Sequence, residues 1–179
     1  PIGESFNSEI AKYDVTFPCP PEYEVVMTGI PEVTGSTYHS VESNVRDFTI
    51  MLATHHSTYV EDYNGLLITV WGNSDLSNDF ALVADQTKSI IDYYTEIVGP
   101  YPYDSIDICL FDIAGAGGME YAELITCNVD EFYEHPIVLA HELGHEWFYL
   151  IIGNDEYAEP WIDESIASYI SNLYMESVG

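Results

Sequence analysis

His141-Glu142-Leu143-Gly144-His145 places two imidazoles and a carboxylate in the order H-E-x-x-H. The run around it is apolar (Ile137, Val138, Leu139, Leu143, Trp147, Phe148, Leu150) and is broken only by Gly144, which points to a helix. On a helix, residues i and i+4 lie on one face a turn apart, so His141 and His145 can both bind one Zn²⁺. Glu142 stands beside the first of them, where it can point at a metal-bound water. Glu164 follows in Trp161-Ile162-Asp163-Glu164-Ser165, with eighteen residues between it and His145. A second helix carrying that carboxylate would complete three protein ligands and leave a fourth position open. That is the layout of a catalytic zinc site rather than a structural one. The metal would bring the pKa of its bound water to about 7. Glu142, as general base, would take the water's proton and pass it to a leaving amine.

The five-residue pattern can also arise by chance on a buried helix. Two histidines and a glutamate inside an apolar helix nonetheless need polar partners, and a second helix then supplies Glu164. Asp163 either orients a metal ligand or faces solvent. The other histidines read as structural or solvated: His39, the pair His55-His56, and His135 beside Pro136. Cys19, Cys109 and Cys127 form neither a C-x-x-C pair nor a disulfide framework. Cys109 lies in the apolar run Ile106 to Phe111 and reads as a buried small hydrophobe.

A second chemical element precedes the helix. Ala114-Gly115-Ala116-Gly117-Gly118 is a glycine-rich turn leading into Met119-Glu120-Tyr121. Glycines allow a substrate chain to approach the backbone closely, and an edge strand can pair with an extended peptide. Glu120 could bind a substrate's free ammonium, although such a turn by itself is more often a plain hairpin.

The elements that must position these groups fall into two stretches. Up to about residue 77 the chain reads as short strands: Tyr23 to Thr28, Tyr38 to Ser43, Arg46 to Leu52, Ser57 to Glu61 and Leu66 to Trp71. Short strands with turns between them suggest part of a β-sandwich. From Asp79 to Val98 the apolar spacing is helical, capped by Ser77 or Asn78 and ended by Gly99-Pro100. Ser105 to Phe111 and Met119 to Cys127 then read as strands. One helix is expected from Pro136 to Gly153, and another from Pro160 or Trp161 to about Met175. A domain boundary is expected near residue 77.

The chain has 179 residues, 47% of them hydrophobic, enough for a real core. It carries 31 Asp+Glu against 3 Lys+Arg, a net charge of −28, which repels nucleic acids and anionic membranes. That charge suits an extracellular or cell-envelope setting, or attraction of cationic ligands. No apolar run is long enough to span a bilayer. The chain opens at Pro1 without an initiator Met and stops just after a helix, so it is expected to be a piece of a longer protein.

Together these residues resemble the aminopeptidase N family of gluzincin metallopeptidases, and its bacterial members in particular. That family joins a G-x-M-E-N-like motif to H-E-x-x-H and a later Glu at this spacing. Here the first motif is Gly117-Gly118-Met119-Glu120-Tyr121, with Tyr121 in place of the usual Asn. Gly153-Asn154-Asp155, Glu159 through Glu164, Tyr101-Pro102-Tyr103 and Arg46-Asp47-Phe48 also fit. The resemblance is good from about residue 45 onward. It implies an α+β chain. The end of a saddle-like N-terminal β domain (1–77) would precede the first half of a thermolysin-like zincin catalytic domain (78–179). It implies a one-zinc aminopeptidase acting on peptides with a free N-terminus. Glu120 would anchor the amino group, and Gly117, Gly118 and Met119 would align the peptide.

Gly144, Glu146 and Ser165 stand where the family commonly has Ala, Gln and Gly. None of these changes removes a ligand or the base. The family's oxyanion-stabilising Tyr lies well downstream of the third ligand. Tyr169 and Tyr174 are poor stand-ins on the ligand helix, so residues 1–179 alone are expected to be feeble or inactive. Two rival functions use the same residues: a zinc endopeptidase, which has no need of Glu120, and a non-catalytic peptide-binding module that keeps the fold.

Overall fold

The computed structural model describes residues 6–76, 79–111, 117–129 and 136–179. The chain is mixed α/β. Its first part makes two small antiparallel sheets. β1 (Ala11–Pro18), β3 (Glu32–Thr34) and β4 (Thr37–Val45) form one, in the order β1-β4-β3. β2 (Glu24–Met27) pairs with β5 (Ile50–Ala53) to form the other. β1 and β3 are additions to the sequence reading. The alternation Tyr13, Val15, Phe17 against Lys12, Asp14, Thr16 marks β1 as a strand with one half-buried face.

A five-stranded sheet carries the rest. β6 (His56–Tyr63) and β7 (Leu66–Asn73) form a hairpin, and β8 (Ser105–Phe111), β9 (Gly118–Tyr121) and β10 (Leu124–Asn128) complete the order β6-β7-β8-β10-β9. β7 to β8 and β8 to β10 are parallel; β9 returns antiparallel along β10 and forms an edge. The parallel step from β7 to β8 needs a crossover, which α1 (Phe80–Ile97) provides. A short 3-10 turn (Ser74–Leu76), α2 (Ile137–His145) and α3 (Trp161–Val178) complete the described elements.

Four expectations change. The stretch Arg46 to Leu52 is a strand only from Ile50. Met119 to Cys127 is not one strand but the hairpin β9–β10, turning at Ala122-Glu123. The helix expected to reach Gly153 ends at His145, and the chain continues in irregular turns to Ile152. The boundary expected near residue 77 cuts through one layer, because β6 and β7 share a sheet with β8, β10 and β9. Strand pairing across sequence-distant segments is invisible to local patterning. The expected caps Ser77 and Asn78, the turn residues Ala114, Gly115 and Ala116, and His135 lie outside the described residues.

The sheet uses both faces. Ile106, Ile108 and Leu110 point from β8 into the main core with Phe80, Ile90 and Tyr94 of α1 and Leu139, Ala140 and Leu143 of α2. The opposite face presents Cys109 and Leu124, against which Val26 of β2 packs. The three cysteines are free and buried. Asp107 also lies on that opposite face, where Trp71 Nε1 donates to its carboxylate at 2.7 Å. Burial pushes Asp107 up to about 7, against the lowering effect of the Trp71 and Thr69 hydrogen bonds.

A carboxyl raised in the folded state holds a proton that the unfolded chain has lost, so this group favours folding less as pH rises from about 4 through about 7. Asp107→Asn keeps the acceptor for Trp71 without the charge. Chemical denaturation of the full-length protein is expected to show the variant gaining stability over wild type between pH 5 and pH 8, on the order of 1–4 kcal/mol. An equal difference at both pH values would refute this.

Candidate active site

α2 is short, and six of its nine residues are buried. His141 and His145 sit one turn apart on it, with Nε2 atoms 3.2 Å from each other. His141 Nε2 is also 3.2 Å from Glu164 Oε2 of α3. Donors at about 2.0–2.1 Å from one tetrahedral zinc lie about 3.3 Å apart, so this spacing fits a shared ion. The donor set, two imidazole nitrogens and a carboxylate oxygen, also fits zinc.

The end of α2 settles the chemistry of His145. The chain turns after Glu146 and brings the Phe148 carbonyl to 3.1 Å from His145 Nδ1. A carbonyl only accepts, so Nδ1 carries the hydrogen and Nε2 keeps its lone pair. Burial, and after it His141, holds the His145 pKa down to about 4, which leaves the ring neutral and able to ligate. Ser168 Oγ stands 3.5 Å from His141 Nδ1, at the limit of a hydrogen bond.

α3 reaches the pair because the helices nearly touch. A Cβ built on Gly144 would stand 3.3 Å from Ala167 Cα and 3.2 Å from Ile170 Cδ1. The departure at Gly144 thus permits close packing and offsets a loss of helix propensity of about 1 kcal/mol. The departure at Glu146 also has a physical reading. Burial holds its carboxyl well above the usual range, which favours the uncharged form. Its Oε2 accepts from the Glu123 backbone N–H at 3.3 Å.

A cleft of about 510 Å³ gathers Gly117, Gly118, Glu120, His141, Glu142 and Glu164. Gly118 and Glu120 are two apart on β9 and share a face. Met119 points the other way, is paired with Thr126 and does not line the cleft. His145 is buried beneath, at 1% exposure. A Cβ on Gly118 would collide with the Glu142 carboxylate, so a side chain there would push Glu142 aside. Glu120 is buried at 3%.

Sequence reasoning missed Ser168, Ser171 and Asn172, which line the same cleft. They follow Glu164 at +4, +7 and +8, so helical spacing from the third ligand would have found them. Asp163 does not face solvent: it is fully buried and accepts from Asn154 Nδ2 at 3.0 Å. One of its oxygens comes within 4.8 Å of His145 and Glu120 atoms, yet the Phe148 carbonyl, and not Asp163, takes the His145 Nδ1 hydrogen. Tyr174 donates to Ser89 at 3.1 Å and Tyr169 is exposed, so neither enters the cleft. His39 and His56 bind carboxylates at 2.9 and 3.0 Å in the β-rich part and have no role here.

Two helix-borne imidazoles and a carboxylate facing an edge strand suit a metal-dependent hydrolase of extended chains. Comparison with known proteins agrees. Residues 82–179 match the peptidase family M1 domain, and the chain belongs to that family. Among its relatives are aminopeptidase M1-B of Oryza sativa subsp. japonica, 23% identical over 94% of this chain and 22% of the relative. Human aminopeptidase N is 28% identical over 64% of this chain and 14% of the relative. Aminopeptidase M1 of Arabidopsis thaliana is 29% identical over 67% and 15%. The chain therefore spans about a fifth or less of the length of these relatives.

Elemental analysis of the full-length protein, purified without chelator, should find one zinc per chain. Replacing a candidate ligand, by His145→Ala or Glu164→Gln, should weaken zinc binding by more than the roughly 10–100-fold typical of outer residues. Undiminished zinc in both variants would rule out this ligand set.

Proposed function

We propose that this chain forms the metal-binding part of a zinc metallo-aminopeptidase that removes N-terminal residues from peptides. The carrying observation is the convergence of His141, His145 and Glu164 on one point across the cleft from Glu120 and the β9 edge. The finer architecture follows the same reading: a saddle-like β domain ending ahead of β6, then the start of a thermolysin-like catalytic domain.

His141, His145 and Glu164 would hold the ion, which when bound supplies Lewis acidity and an acidified water. Glu142 takes the proton from the attacking water and delivers it to the leaving amine nitrogen. Gly118 leaves room for that carboxylate. β9 lies at the end of its sheet and offers main-chain groups for an extended peptide to pair with. Glu120, on the cleft-facing side of β9, binds the substrate's ammonium and so sets which bond is cut. An endopeptidase would gain nothing from a buried carboxylate at that place.

With the full-length protein, Glu142→Gln should keep its zinc and lose roughly 10²–10⁴-fold in kcat. Wild-type rates with zinc retained in that variant would sink the general-base assignment. Free and N-acetylated forms of one peptide separate the exopeptidase from the endopeptidase: equal cleavage would overturn the former. Gly118→Ala, which forces Glu142 aside, should lower kcat by about 10²-fold while zinc content stays constant. An unchanged kcat would show that the Glu142 position is not critical.

A further inference from the structure

A second cavity, of about 540 Å³, opens between β4, the turn before β8 and the segment after α2. Its rim is apolar and exposed: Ile10 is 48%, Ile30 51%, Val41 41% and Ile151 39% accessible. Its floor is acidic. Glu123 is only 1% exposed and sits at the β9–β10 turn with φ 56°, a backbone region that glycine or asparagine would occupy at lower cost. Ser105 Oγ donates to Glu123 Oε2 at 2.8 Å. Oε1 is buried and receives no hydrogen bond from a fixed donor.

The Glu42 carboxyl faces Glu123, close enough to share a proton with it, and the Asp104 charge is near Glu42. Two carboxyl groups so placed cannot both ionise without a counter-charge. Burial first, then the Glu42 charge, pushes Glu123 up to about 8. Among the described residues the chain pairs no Lys or Arg with either carboxyl. Of its 3 basic residues, Arg46 spends its donors on the carbonyls of Leu150, Ser8 and Ile151. Lys88 is paired with Glu61 and Asp85, and Lys12 lies on β1, outside the cavity lining.

We propose that this cavity is a binding site for a small organic monocation, an alkylammonium or alkylguanidinium, whose charge rests on Glu42 and Glu123 and whose apolar body lies against Ile10, Ile30, Val41 and Ile151. A cation there takes the place of the proton shared between the two carboxyls. The apolar rim and the volume suit an organic body. A bare metal ion has less to hold it. Among the described residues, three-donor clusters tight enough for an ion occur only at His141, His145, Glu164 and at Glu120, His145, Asp163. The site is separate from the peptide cleft and stands whether or not the aminopeptidase reading does.

Calorimetric titration of the full-length protein with n-butylguanidinium and n-butylammonium tests this. A Glu120→Gln background removes binding in the peptide cleft. Saturable binding is expected there, weakened at least tenfold by adding either Glu123→Gln or Glu42→Gln. If Glu123→Gln fails to fold, Glu42→Gln carries the same test. Three results would overturn the proposal. Binding that vanishes with Glu120→Gln alone would place the probe in the peptide cleft. Weak, salt-sensitive binding equal in all variants would be general attraction to an acidic surface. Calcium binding at Glu42 and Glu123 tighter than either organic cation would make the site inorganic.

Discussion

The near-contact of α2 and α3 at Gly144 is the constraint on which the site depends. An H-E-x-x-H helix alone offers two nitrogens. The third donor must come from elsewhere and arrive within a few tenths of an ångström. With no side chain at Gly144, the backbone of Ala167 can approach, and Glu164, three residues earlier on α3, falls 3.2 Å from His141 Nε2. Packed interiors have low compressibility, so this contact helps hold the donors at their spacing.

The surroundings of that contact are tied down from every side. Tyr94 of α1 donates to the Ala140 carbonyl at 2.7 Å, next to His141. Trp147 donates to Gly99 at 2.9 Å. Asp47 accepts from Tyr149 at 2.7 Å and from the Ala122 backbone at 3.1 Å. It thereby joins the β-rich part to the β9–β10 turn and to the segment behind α2. Arg46, beside it, fastens the same segment through the carbonyls of Leu150 and Ile151, donates also to that of Ser8, and lies so close to Gly153 that a side chain there would strike it. The Arg46-Asp47 pair, legible only as a family-like signature, is a clamp.

The interior is unusually acidic for a protein core. Asp107, Glu123, Glu146 and Glu142 are all buried. Desolvation is the leading cause of the raised pKa of Asp107, Glu123 and Glu146. Such groups persist because they keep protons or partners, and each ties stability to pH. The surface charge of this chain thus has a counterpart inside it, where the state of a few carboxyls matters more than the net count.

Local sequence determined much of the site. The spacing of His141 and His145, the identity of Glu142, the later Glu164 and the glycine-led Glu120 strand were all readable, because helical and strand periodicities are short-range and fix which residues share a face. The helix α1 and most strands followed from the same periodicities. Tertiary structure decided the rest. It joined β6 and β7 to the downstream sheet, packed Val26 of β2 against that sheet's opposite face, and buried Asp163. Each of these depends on contacts between residues far apart in sequence, and local pattern carries no record of which distant segment will supply the partner.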